Sequence, residues 1–211
     1  MGTVERRERE RNQRRVDIID AAEKVLFTKG FENTTIDDVA QEVELSKGTL
    51  YLYFKNKKEI CLAVIIRSLK EVYSIFENIH DKNSKGIDKI YELADEVLNF
   101  YKNSPDYIRS LLFYSTHKLD IVSDILQEAI DENEKINNII ADIIRLGIED
   151  GSIRNDIDSM KFSYALWGQL TGLLPALSLS NNDIERTPKY RFSEICRYIF
   201  NLIQDTISSN D

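Results

Sequence analysis

Residues 35–60, TIDDVAQEVELSKGTLYLYFKNKKEI, read as two short helices joined by a tight turn, with a third helix starting just after them. Thr35 has the residue type of an N-cap, and Asp38 stands three positions on, where the reciprocal partner of a capping box belongs. Ile36, Val39, Ala40 and Val43 form one apolar stripe, so the first helix is short and buries one face. Glu44-Leu45 makes the turn and Ser46 caps the second helix. In that helix Leu50 and Phe54 point inward, while Lys47, Thr49, Tyr51 and Tyr53 face outward. Lys57 and Lys58 open the third, whose apolar positions Leu62, Ile65, Leu69, Val72 and Phe76 carry it to about Ile79.

Outward from this stretch the chain remains helical. Ile18, Ala21, Ala22, Val25 and Leu26 recur at helical spacing, and Gly30 supplies a stop. Ahead of them stand six arginines, Arg6, Arg7, Arg9, Arg11, Arg14 and Arg15, interleaved with Glu5, Glu8 and Glu10. This run reads either as a solvated helix start or as a basic arm that reaches nucleic acid. Downstream, five more helices are expected. Lys85 to Lys102 is the first, and Asn103-Ser104-Pro105 opens a second through Ile108, Leu111, Leu112 and Tyr114. A long one runs from about Ile121 to Asp150 and ends at Gly151. Asp156 or Asp158 caps the next, and Thr187-Pro188 opens the last, with Phe192, Ile195, Ile199, Leu202 and Ile203 as its seam. With three prolines, eight glycines and no strand pattern, the expected fold is all-α with about nine helices.

The 211 residues allow a sizeable core, and 42% hydrophobic with 30% charged residues is ordinary for a globular chain. The net charge of −8 is unevenly spread: residues 1–58 carry 12 Lys and Arg against 11 Asp and Glu, the remainder 16 against 25. Phosphate binding depends on local neutralisation rather than on the total, so this pattern suits a nucleic-acid-facing module on an acidic body. Cys61 and Cys196 both lie in apolar-periodic segments, as buried free thiols of a reducing compartment do. The charged N-terminus is unlike a signal peptide, and the longest apolar run, Tyr164 to Leu179, is interrupted by Gln169, Thr171 and Pro175. A cytoplasmic protein with no membrane partner is expected.

The motif Thr35, Val39-Ala40, Ser46-Lys47-Gly48-Thr49-Leu50-Tyr51, Tyr53-Phe54 and Lys57 resembles the signature of the TetR family of bacterial transcriptional regulators. Ala21-Ala22 with Phe27-x-x-Gly30-Phe31 is similar to that family's first helix, so the resemblance covers roughly residues 14–74. It implies a helix-turn-helix whose second helix enters the major groove. Thr35, Ser46, Lys47, Gly48, Thr49, Tyr51, Tyr53 and Lys57 are then the DNA-binding residues. Lys47 and Thr49 are the base-facing pair, Thr35, Tyr53 and Lys57 the phosphate clamp, and Gly48 leaves room for the sugar-phosphate. Two departures stand out: Glu44 where the family commonly has glycine in the turn, and Lys58 where it often has Glu.

The resemblance further implies residues 1–58 as the DNA-binding domain and 59–211 as an effector-binding and dimerisation domain. The expected protein is a ligand-responsive regulator, a repressor. It would bind a palindromic double-stranded operator as a homodimer through its last two helices, and a small, largely apolar effector would release it. Candidate pocket residues are Tyr73, Phe76, Tyr91, Phe100, Tyr107, Phe113, Tyr114, His117 and Trp167. Each has plain core packing as its alternative. Gly168 and Gly172 allow close helix approach, toward either the chain's own core or a partner. The competing reading is a helical ligand-binding or adaptor protein whose DNA module is vestigial. Catalysis is disfavoured: the only histidines are His80 and His117, no metal-ligand spacing or phosphate loop is present, and no cofactor is expected.

Overall fold

The computed structural model describes residues 2–104, 106, 107, 110, 123–178 and 192–209. Among them the fold is all-α, as expected from the sequence. The helices are α1 (Thr3–Lys29), α2 (Ile36–Glu42), α3 (Lys47–Tyr51), α4 (Lys57–His80), α5 (Gly86–Asn103), α6 (Asp124–Glu149), α7 (Ser159–Ser178) and α8 (Phe192–Ile207). Ile108, Leu111, Leu112 and Tyr114 of the expected second downstream helix and the expected start of the last helix at Thr187-Pro188 lie outside the described residues. The chain groups into two compact units, residues 1–67 with 113–129, and residues 68–112 with 130–211.

The first unit is assembled from local signals. Ile18, Ala22 and Leu26 of α1 pack with Val39 and Ala40 of α2, Leu50 of α3, Phe54, and Ile60 and Val64 of α4 in one buried cluster. Gly30 ends α1 at a φ of 81°, and its N–H still reaches the Leu26 carbonyl at 2.9 Å. Thr35 and Asp38 form the expected capping box: the Asp38 N–H donates to the Thr35 hydroxyl at 3.2 Å, and the Thr35 N–H to the Asp38 carboxylate at 2.9 Å. Lys29 adds an ion pair to Asp38 at 2.7 Å. That bond first, then the two from Thr35, hold the Asp38 carboxyl at about 2. Asn56, which sequence reasoning passed over, caps α4 by accepting from the Glu59 N–H at 3.0 Å.

The turn between α2 and α3 is a Schellman motif with the wrong residue in it. The Leu45 N–H bonds to the Ala40 carbonyl at 2.9 Å and the Glu44 N–H to the Gln41 carbonyl at 3.2 Å. This geometry requires a left-handed residue between them, and Glu44 adopts it at φ 54°. Placing a Cβ there costs about 1–2 kcal/mol, against about 0.5–1 kcal/mol of extra unfolded-state entropy for glycine. Glu44→Gly is therefore expected to stabilise the protein by about 0.5–1 kcal/mol. The readout is a higher urea midpoint at unchanged slope. An unchanged midpoint contradicts the strain.

In the second unit the long α6 stripe is as regular as its sequence: Ile136, Ile140 and Ile143 are fully buried. Asp158 caps α7 by accepting from the Lys161 N–H at 3.0 Å. The start of α5 is held from far away in sequence. Its first N–H groups, of Gly86 and Ile87, donate to the Asp150 carboxylate at 2.7 Å and the Ser152 hydroxyl at 3.2 Å. Burial raises the Asp150 carboxyl, but the hydrogen bonds from Ser152 and Gly86 outweigh it and leave it below the usual carboxylate range.

Candidate nucleic-acid interface

Three helix starts and one short helix compose the candidate site, each set by its own cap. Ser46 accepts from the Thr49 N–H at 3.0 Å, and its hydroxyl lies 2.8 Å from that of Thr49. This cap orients α3 so that Leu50 is fully buried while Tyr51 is 46% exposed. Leu52 follows at 75% exposure, an apolar side chain with no core to serve, which sequence reasoning missed. Tyr53 is half-buried against the cluster around Phe54. Gly48 is not required by the fold, because a Cβ there would meet nothing closer than the Ser46 hydroxyl at 3.8 Å.

The three helix starts are tied together. Lys47 donates to Asp37, on the first turn of α2, at 2.9 Å. The Lys57 amine donates to the Glu32 carbonyl, three residues before Thr35, at 2.9 Å. Thr35, Lys47 and Lys57 thus share one neighbourhood, with Lys47 held by Asp37 and Lys57 by the Glu32 carbonyl. The hydrogen bond it donates to Asp37 raises the Lys47 amine, so it stays charged at any working pH. Asp37 is 68% exposed and its pair with Lys47 is open to water, where such a bond is weak and readily exchanged for a phosphate.

The pocket candidates fall into separate groups. Phe76 and Trp167 meet edge to face, centroids 6.2 Å apart at 86°, and the indole N–H donates to the Asn133 side-chain oxygen at 2.7 Å. Phe100 and Tyr107 stack in parallel at 5.9 Å. Tyr73 is half-buried, with its hydroxyl donating to Glu77 at 3.2 Å, and Tyr91 is exposed. Phe113, Tyr114 and His117 lie outside the described residues. Asn133 and the buried Asn137 were not anticipated: isolated asparagines within an apolar-periodic helix carry no sequence signal of their own. Cys61 is buried, and its thiol is pushed up to about 11 by that burial. Among the described residues no cluster of metal-ligating side chains occurs, and no helix is long and apolar enough to cross a membrane.

Residues 18–64 match the family model described as bacterial regulatory proteins, tetR family. Over 128 residues the chain is 29% identical to the biofilm operon icaADBC HTH-type negative transcriptional regulator IcaR of Staphylococcus aureus, covering 59% of this chain and 66% of that one. A TetR-family transcriptional regulator from Pectobacterium atrosepticum superposes with a TM-score of 0.76 at 17% identity, over 95% of this chain and 97% of the other. The regulator FadR from Bacillus subtilis, solved in complex with stearoyl-CoA, superposes with a TM-score of 0.67 at 20% identity, over 89% and 96%. The matched segment holds the capped α2–turn–α3 unit, the buried cluster behind it and the outward Lys47, Gly48, Thr49 and Tyr51, and over residues 18–64 the chain is similar to the tetR family of bacterial regulatory proteins.

Proposed function

We propose that the protein is a ligand-responsive repressor that binds a palindromic duplex operator as a homodimer. Residues 1–58 read the DNA, and residues 59–211 hold the effector and the dimer seam. The observation that carries the DNA reading is α3 itself: a helix capped at Ser46, anchored by Leu50, whose outer side offers Lys47, Thr49 and Tyr51 around a glycine the fold does not need. Major-groove recognition takes such a face, with Lys47 and Thr49 at base edges and Thr35, Tyr53 and Lys57 on the flanking phosphates.

Two-fold association is supported by apolar surface left uncovered in the second unit. Tyr164 on α7 is 52% exposed, and Tyr198 and Leu202 on α8 are 65% and 47% exposed. Gly168 and Gly172 face open space on the same α7, so a partner helix can approach closely there. Effector control is supported by α4, which begins at Lys57 and carries Phe76 in contact with Trp167. A ligand packed against that pair favours one tilt of α4, and with it one spacing of the two reading helices. The complex of the Bacillus subtilis regulator makes long-chain acyl-CoA the first effector to try.

The test is selection from a random duplex pool, with the solution mass measured alongside. An enriched sequence with two-fold symmetry, bound by a species of twice the 24.5 kDa chain, is expected. Acyl-CoA is then expected to weaken binding. Binding by a monomer, or an enriched site without symmetry, overturns the dimer reading.

A further inference from the structure

The arginines of α1 up to Arg14 serve no packing in the fold, whereas Arg15, next in the run, lies over the Phe54 ring at 5.4 Å. Residues 4–14 are all exposed, and the first buried side chain of the helix is Ile18. Arg7, Arg11 and Arg14 are spaced four and three apart, so they share one helix face over about 10 Å of rise. That face borders an open groove of about 660 Å³ whose other wall is Leu52 and Tyr53, the residues directly after α3. The remaining lining residue is Glu10, which is paired with Arg6 at 2.8 Å. Arg14 stands 3.8 Å from Asp17 at the weak limit of an ion pair. Arg7 and Arg11 make no ion pair or hydrogen bond with the described residues. The groove therefore carries an excess of positive charge beside the reading helix.

We infer that Arg7, Arg11 and Arg14 form a second, sequence-independent DNA site: a basic ridge that binds the phosphate backbone just beyond the bases reached by α3. This rests on the DNA-binding reading above. A duplex strand places a phosphate every 3.4 Å of axis, so a ridge of about 10 Å matches about three of them. Guanidinium groups suit this, because their planar forks take phosphate oxygens two at a time. Leu52 and Tyr53, on the opposite wall, contact the sugar edge between the two sets of contacts. The ridge lengthens each half-site without adding base discrimination.

The experiment uses the full chain and the duplex that it enriches from a random pool, extended by a helical turn on each side. The triple variant R7A/R11A/R14A is compared with R7K/R11K/R14K and the unaltered protein between about 50 and 200 mM salt. The alanine variant is expected to lower the slope of log K against log salt by about 2–3 per protomer, and affinity about 10- to 100-fold. It also exposes the outer phosphates to hydroxyl-radical cleavage, while its enriched base sequence stays the same. The lysine variant keeps most of the slope. All three melt together, because the side chains are exposed. An alanine variant with unchanged slope and footprint overturns the ridge and leaves the α3 reading standing. If the unaltered protein enriches no duplex, both fall.

Discussion

Replacing Lys47 and Tyr51 together by alanine is expected to abolish selective duplex binding while leaving the fold intact. Both side chains are substantially exposed, so the stability change stays within about 0.5 kcal/mol, a melting shift of about 1–2 °C. Each lost contact costs about 1–3 kcal/mol, hence about 2–6 kcal/mol per half-site for the pair. The single variants separate the roles. If Lys47 reads a base, its alanine variant relaxes preference at one position and keeps the salt slope. If it binds phosphate, the slope falls by about 1 per half-site and base preference is kept. The exposed pair with Asp37 adds a competitor that the phosphate must displace, which makes the measured loss a lower bound on the contact itself. Operator binding at full strength by the double variant removes these two residues from the interface.

Gly86→Val, at a buried position of the second unit, is expected to be strongly destabilising. A Cβ on Gly86 would stand 2.2 Å from the Cα of Gly147, 2.3 Å from its nitrogen and 2.9 Å from the Ile143 carbonyl oxygen. These are backbone atoms of α6, so no rotamer change relieves the overlap and the helices must separate. Separation also stretches the Asp150 bond to the Gly86 N–H, leaving a buried donor and carboxylate poorly matched. The combined cost is at least about 3 kcal/mol, seen as a melting temperature lower by about 6–12 °C or more. Gly86→Ala shows the same effect in smaller measure. A valine variant that melts with the unaltered protein refutes the close approach of α5 and α6.

The reading head was legible because its determinants are local. Thr35, Asp38 and Ser46 act on backbone groups three residues away, and the stripe of Ile36, Val39 and Ala40 repeats at the helical period. Glu44 was visible as an anomaly in the turn, and its left-handed backbone is what the Schellman hydrogen bonds demand. The arginine run left two readings open because periodicity does not tell a solvated face from a binding one. The structure makes that segment helical from Thr3 and sets three of its arginines opposite Leu52 and Tyr53. The pocket candidates were the least legible. Aromatic residues mark core and cavity alike, and it took three dimensions to pair Phe76 with Trp167 and to place Tyr91 at the surface.

The sequence by itself determined the helical class, the caps and the helix-turn-helix motif, because these depend on contacts between residues three or four apart. Only the tertiary structure decided that Lys47 rests on Asp37, ten residues away, and that Trp167 donates to Asn133, 34 away. It alone set Asp150 to cap a helix that begins 64 residues earlier. Gly86 and Gly147 show why: neither has a side chain to signal a partner, and their role is the absence of atoms where two backbones cross. Local chemistry writes its pattern into neighbouring residues, whereas a helix crossing is fixed by the shape of surfaces that meet only after folding.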